Sequence, residues 1–386
     1  MGSKIMQLFL LVLAAAAPVT ALWAQPLEHV DVFRAGEGGY HSYRIPTVVT
    51  AADGSVVVFA EARKDNRGDP GYGDIDLAFR RSTDRGKTWS AMQVLDDPGV
   101  KWSASNPTPV LDRNTKRLWL LYNRWEPGHG TVSSMPGAMN NQVWARWSDD
   151  HGRTWSAPRD LTRQARDFDH WGAVFLGPGG AIQTRSGRLV VPAAMKSGKS
   201  YAVMTALPAA ADVSISVLRA YTLYSDDRGE TWKRGELMEA FTNENQLVEL
   251  SDGAVMMDAR QGNGDHRWQM ISQDGGATFS RPAVGNRTGA IAAGIERFAP
   301  DLLLWTGPAG PGRRKLVARM SFDEGQTWEQ TPERVIYGGP AAYSDLTMLD
   351  DGRAAVIWER GVSDGYQFVT FTPLSRQFLL GGAPRF

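Results

Sequence analysis

The residues of this chain most able to do chemistry fall in four separated stretches. Tyr43-Arg44-Ile45-Pro46 sets one cation between apolar neighbours, on what reads as an inner strand. A guanidinium buried there needs an anionic partner. Glu61-Ala62-Arg63 ends a strand and opens a charged, glycine-rich loop through Asp65, Arg67 and Asp69 to Gly71. Asn243-Glu244-Asn245-Gln246 runs into an Asp252-Gly253 turn and a strand ending Asp258-Ala259-Arg260, so Glu244 and Arg260 are expected on neighbouring strands. A run of small residues from Gly338 to Ala342 precedes Tyr343 and leaves its ring thinly covered, with Glu359 sixteen residues on. Each stretch has a plain structural reading: a salt bridge for Arg44, a solvated loop around Asp69, a cross-strand ion pair for Glu244 and Arg260, a half-buried ring for Tyr343. Together they offer cations for an anion and carboxylates for proton transfer.

Such residues need a scaffold, and the chain supplies one by repetition. Five segments beginning at Ser82, Ser148, Ser225, Ser272 and Ser321 fit Ser-x-Asp-x-Gly-x-Thr-aromatic. Each reads as a β-hairpin turn. The Asp can accept hydrogen bonds from backbone N–H groups two residues on, and the Gly supplies the positive φ of a tight turn. The closing Trp or Phe re-enters a strand and packs between layers of sheet. Consecutive copies start 47 to 77 residues apart. Four-stranded propeller blades repeat at about 40–50 residues, and the longer gaps leave room for insertions or for a blade that has lost the pattern.

Between the turns the chain is short apolar runs punctuated by Gly, Pro, Asn and Asp, among them Ser55–Ala60, Arg117–Tyr122, Arg188–Pro192, Ala254–Met257 and Ala354–Trp358. One helical pattern is present, weakly, over 159–168. The reading is all-β, a six-bladed β-propeller over 25–386, with a first strand near 28–33 and a last near 365–372 sharing the closing blade. Segments 133–140 and 308–312 read as loops. Met1 to Ala24 has one Lys and an apolar run from Leu8 to Ala17, too short to span a bilayer, and reads as a signal peptide cut after Ala24. That implies export, to the periplasm or outside the cell. There is no Cys, and 42 Lys and Arg balance 42 Asp and Glu, which argues against a nucleic-acid partner. A monomer is expected, with no membrane span.

The four stretches, the five turns in order, and Gly177-Pro178-Gly179-Gly180 before a strand resemble the retaining exo-α-sialidases (neuraminidases) over nearly the whole mature chain. The resemblance implies an arginine triad clamping the substrate carboxylate. Arg44 and Arg260 match two members. Arg313 matches the third by its offset from Ser321, with Arg314 and Arg319 competing. Glu359 corresponds to the glutamate that orients the first arginine. Asp69 fits best as acid/base, with Asp65 and Asp74 as competitors. Arg63 matches an arginine lining the sugar pocket, Tyr343 the nucleophile, and Glu244 the carboxylate that draws its proton. Trp102, Asn106 and the 133–139 loop fall where the family places substrate-lining groups around the N-acetyl substituent.

The chemistry of sialic acid suits these residue types. Its anomeric carbon carries a carboxylate, which arginines can neutralise and orient. A carboxylate nucleophile would approach against that charge, whereas a phenol would not, and sialidases with a Tyr nucleophile are a known exception among glycosidases. Ionising a free Tyr at pH 7 costs about 4 kcal/mol, which an adjacent base and arginines can offset. The implied substrates are sialylated glycoproteins, glycolipids or oligosaccharides, and no cofactor or metal is implied. The rivals are transfer to an acceptor sugar, a related nonulosonic acid as substrate, and a non-catalytic carbohydrate-binding propeller.

Overall fold

The computed structural model describes residues 27–131, 133–197, 218–239, 242–261, 264–328 and 332–381. The expected signal peptide lies outside these residues. Strands dominate them, and α-helix is confined to Thr162–Ala165 and Arg376–Leu380 among the described residues. The helical pattern over 159–168 therefore shrinks to one turn, after a two-residue strand at Arg159–Asp160. Every short apolar run singled out in the sequence lies within or across a strand.

The strands form antiparallel meanders joined into four sheets. Six strands lie innermost: Ser42–Thr50, Ser103–Leu111, Trp171–Leu176, Thr242–Glu249, Gly294–Ala299 and the second half of the long Arg334–Met348 strand. The sixth packs back against the first, and each of the others packs against the next meander, so the chain closes on itself. Closure uses both ends of the chain, because Val30–Arg34 pairs with Phe368–Leu374. The inner strands are buried almost throughout, for instance seven consecutive residues from Ser42 to Val48. Beneath the site, Gln246 fastens several inner segments together. Its Nε2 donates to Asp345 Oδ1 at 2.8 Å and to the Pro178 carbonyl at 3.2 Å, and its Oε1 accepts from Ile295 N at 2.9 Å. Asp345 Oδ2 accepts from Val48 N at 3.0 Å, and burial pushes this carboxyl up to about 7.

The five repeated turns share one hydrogen-bond pattern. In the first, Ser82 Oγ accepts from Gly86 N at 2.8 Å, and Asp84 accepts from Thr88 N at 2.9 Å and from its hydroxyl at 2.6 Å. The Asp thus reaches four residues on rather than the two expected, because Gly86 at φ +86° folds the chain back over it. A Cβ on Gly86 would stand 2.1 Å from the Phe371 ring, and one on Gly229 would stand 2.4 Å from Trp119. The closing aromatics dock the same way, on the preceding meander. Trp89 meets Phe371 edge-on at 5.3 Å, Trp155 meets Phe59 at 5.6 Å, and Trp232 meets Trp119 at 6.3 Å. Each turn is a clasp between neighbours.

The inner strands share a different irregularity. Pairing slips register once in each of the six: at Arg44/Thr47, Ser105/Thr108, Trp171/Ala173, Thr242/Asn245, Arg297/Ala299 and Ala341/Ser344. A bulge re-aims the side chains beside it. Four of these slips carry residues singled out above, namely Arg44, Asn106, Glu244 and Tyr343.

Candidate active site

The bulges at Arg44, Asn106, Glu244 and Tyr343 bring four inner strands to a cavity of about 630 Å³. Five arginines (Arg44, Arg63, Arg67, Arg260 and Arg313) and three carboxylates (Glu61, Asp69 and Glu244) line it, so a chain of zero net charge has gathered a positive pocket.

Tyr343 forms its floor. The strand from Ala341 to Thr347 is buried on both faces, and only 6% of Tyr343 is exposed. Its hydroxyl donates to the Glu244 carboxylate, with both oxygens in reach at 2.7 and 2.6 Å, and accepts from Arg260 Nη1 at 3.0 Å. Arg260 Nη1 also meets Glu244 Oε2 at 2.5 Å. The expected neighbouring-strand pair is present, with the phenol across it. Burial and then the Glu244 charge hold the Tyr343 proton on well above the ordinary tyrosine range, while Arg260 and Arg313 pull the other way. The resting hydroxyl is a phenol already aimed at a base. Arg260 Nε is buried with no hydrogen-bond partner among the described residues, a donor left over at the site.

Glu359 stands behind the cavity wall, 1% exposed. It accepts from Arg44 Nε at 2.6 Å and Nη2 at 3.3 Å, from Ile45 N at 2.9 Å and from Tyr343 N at 3.1 Å. One carboxylate thereby sets the first arginine and the backbone that presents the phenol. Arg313 completes a ring of cations around that phenol. Its guanidinium carbon lies 5.4 Å from the Tyr343 ring centre, and that of Arg44 lies 5.6 Å away. The competitors of Arg313 point elsewhere. Arg314 is exposed, and Arg319 lies over Trp305 at 5.3 Å and donates to Glu333 at 3.3 Å.

The opposite wall carries Asp69. Its side chain is 81% exposed and accepts from Arg63 Nη1 at 3.2 Å. Neither Asp65 nor Asp74 lines the cavity, and Asp74 pairs with Lys64 at 3.0 Å. Arg63 is held by Glu61 at 2.6 Å, two residues before it on the same strand face. Glu61 also accepts from Asn106 N at 3.1 Å, which places Asn106, at φ +52°, on the cavity wall. Burial drives the Glu61 carboxyl upward and the Arg63 cation opposes it.

Trp102 departs from expectation. It lies just before the strand Ser103–Leu111, its carbonyl accepts from Ile75 N at 3.0 Å, and it does not line the cavity. The tryptophan that does is Trp125, which bonds Ser105 Oγ at 2.8 Å and shares an apolar wall with Phe175 and Leu218. The 133–139 loop contributes no lining residue, although Ser133 Oγ meets the hydroxyl of the lining Tyr72 at 3.1 Å. Sequence reasoning also gave no role to Glu61 or Tyr366. The alternation Glu-Ala-Arg, which puts Glu61 and Arg63 on one face, could have signalled the first. Nothing comparable marks Tyr366. Among the described residues no His, Asp and Glu side chains gather as a metal would require.

Residues 54–356 match the model of the BNR repeat-like domain family. The chain is 30% identical to a sialidase of Micromonospora viridifaciens, an alignment covering 92% of this chain and 56% of the relative. It is 29% identical to a sialidase of Bacteroides fragilis, over 87% of this chain and 64% of that one. The chain thus spans between about half and two thirds of the length of these curated relatives. Among solved structures, the Hadza microbial sialidase Hz136 superposes with a TM-score of 0.79 at 26% identity, over 91% of this chain and 69% of that one. A β-propeller is common to these folds.

Proposed function

The chain belongs to the sialidase family with BNR-type repeats, and from that premise we propose that it is an exo-α-sialidase releasing terminal α-linked sialic acid from glycoproteins, glycolipids or oligosaccharides. The observation that carries this reading is the Tyr343 hydroxyl donating to Glu244 at the centre of three arginines. We read the six meanders as six blades of one ring, and Met1–Ala24 as an export signal.

In this mechanism Arg44, Arg260 and Arg313 bind the carboxylate of the sugar and turn its anomeric carbon toward Tyr343. Glu244 takes the phenol proton as the Tyr343 oxygen bonds to that carbon. The glycosidic C–O bond breaks, and Asp69 gives its proton to the departing oxygen. In the second step Asp69 takes a proton from water, the water oxygen bonds to the anomeric carbon from the side the aglycone left, and the tyrosyl bond breaks. Tyr343 then recovers its proton from Glu244. Two displacements retain configuration. The exposure of Asp69 gives water a direct path to the acid/base.

A fluorogenic α-sialoside assay tests the activity, and proton NMR of the first product tests its stereochemistry. We expect hydrolysis with the α-anomer formed first. Initial release of the β-anomer would remove the double displacement, and no release from any sialoside would remove the sialidase reading.

A further inference from the structure

The three arginines around Tyr343 are not held alike. Arg44 rests on Glu359 and Arg260 on Glu244, each through a charge-assisted bond. Arg313 has no carboxylate partner among the described residues. Its one side-chain hydrogen bond there is to the hydroxyl of Tyr366, 2.8 Å from Nη1. A guanidinium has five N–H donors in a fixed fork, so a single acceptor leaves the other four for a ligand.

Tyr366 is well placed for this duty. Its ring carries the Arg44 guanidinium 4.2 Å above its centre, with Arg67 at 5.4 Å and Arg313 at 6.0 Å. Its backbone N donates to Asp364 Oδ1 at 3.0 Å, and the other oxygen of Asp364 pairs with Arg67 at 2.7 Å. Gly365 is buried against the site strand, where an added Cβ would stand 3.3 Å from Ala342. The loop, the ring and two clamp arginines therefore form one assembly at the cavity wall.

We propose that Tyr366 is a positioning residue of the carboxylate clamp: its ring face steadies Arg44, and its hydroxyl parks Arg313 with the fork free for the substrate. This rests on the sialidase reading above. The contrast with Tyr343 gives the assignment its content. Both phenols lie among the same arginines, but Tyr343 donates to a carboxylate base, whereas the Tyr366 hydroxyl accepts from a cation and bonds no carboxylate among the described residues. One is set to lose its proton and the other to hold a charge in place.

The test is a double-mutant cycle read by calorimetric binding of an unsaturated sialic acid analogue that keeps the carboxylate. Tyr366→Phe keeps the ring and removes the hydroxyl. In the native background it should weaken binding about tenfold, the scale of a hydrogen bond to a charged group. In an Arg313→Ala background the same change should alter binding by less than about twofold, since acceptor and cation act as a unit. With substrate, Tyr366→Phe should raise KM and leave kcat nearly unchanged, with the melting temperature preserved. Equal losses in both backgrounds, no loss in either, or loss of the native melt would each overturn the proposal. A wild-type chain that neither binds the analogue nor cleaves sialosides overturns the sialidase reading and this inference with it. An active wild type with an additive cycle overturns this inference alone.

Discussion

The outer edge of this molecule and its inner mouth are built from the same meanders, yet they treat sequence in opposite ways. At the edge, five turns repeat one pattern and make the same bonds, from the Ser82 turn to the Ser321 turn. At the mouth, four inner strands share a backbone slip, but the residues there differ from strand to strand: Arg44, Asn106, Glu244 and Tyr343. Where every meander must clasp its predecessor, each solves the same packing problem and the residues converge. Where several strand ends line one cavity, each presents a different group to it. The repeated positions should therefore govern stability and the unrepeated ones turnover.

The widest separation is expected at Tyr343. Tyr343→Phe should lower kcat by on the order of a thousandfold, because it removes the proposed nucleophile, and should leave the melting temperature unchanged. Steady-state kinetics beside a thermal melt checks both halves. Glu359 is where the two regimes meet, since its carboxylate fastens Arg44 and two backbone N–H groups. Glu359→Gln should destabilise the fold by about 3 kcal/mol, as breaking a buried pair does, and also weaken carboxylate binding. A denaturant titration and a KM measurement on the same variant test the pair of effects. At the edge, Gly229→Ala forces a Cβ to within 2.4 Å of Trp119 at a φ of +93°. It should lower stability by about 2 kcal/mol with kcat and KM untouched.

The smallest effect is a pH dependence. Asp84 is drawn down to about 2, first by the Thr88 hydroxyl and then by its backbone N–H. Asp150 is also drawn down to about 2, with burial opposing and the Thr154 bonds prevailing. Asp227, Asp274 and Asp323 are lowered in the same way. A carboxyl whose folded pKa lies below its unfolded value of 3.8 contributes stability above that value and loses it as pH falls toward about 2. Melting temperature should drop across this window, and replacing the turn aspartates by Asn should flatten the drop. A mutant that keeps the full acid drop would place the responsible groups elsewhere.

The edge was legible in the sequence because a repeated turn announces itself five times. The mouth was legible only through the order of its unique stretches, which brought Arg44, Glu244, Arg260 and Tyr343 onto one cavity. What sequence could not carry was the bulge. A one-residue slip leaves no mark on composition or alternation, yet it decides which side chain turns inward. Trp102 was expected at the wall, and Trp125, on the neighbouring strand opposite Ser103, stands there instead. Tyr366 was hidden differently, in a loop with no repeat, where only the fold shows it lying over Arg44. Arg313 was ambiguous among three arginines until the strand from Arg314 to Ser321 put its neighbours outside the cavity.

The account turns on which oxygen attacks the anomeric carbon. A fluorinated sialosyl fluoride, which slows the second displacement, should leave a covalent sugar on the enzyme, located by peptide mass spectrometry. We predict a single adduct on Tyr343, absent from Tyr343→Phe. An adduct on Glu244, Asp69 or Tyr366, or rapid inactivation with Tyr343 unmodified, would contradict it.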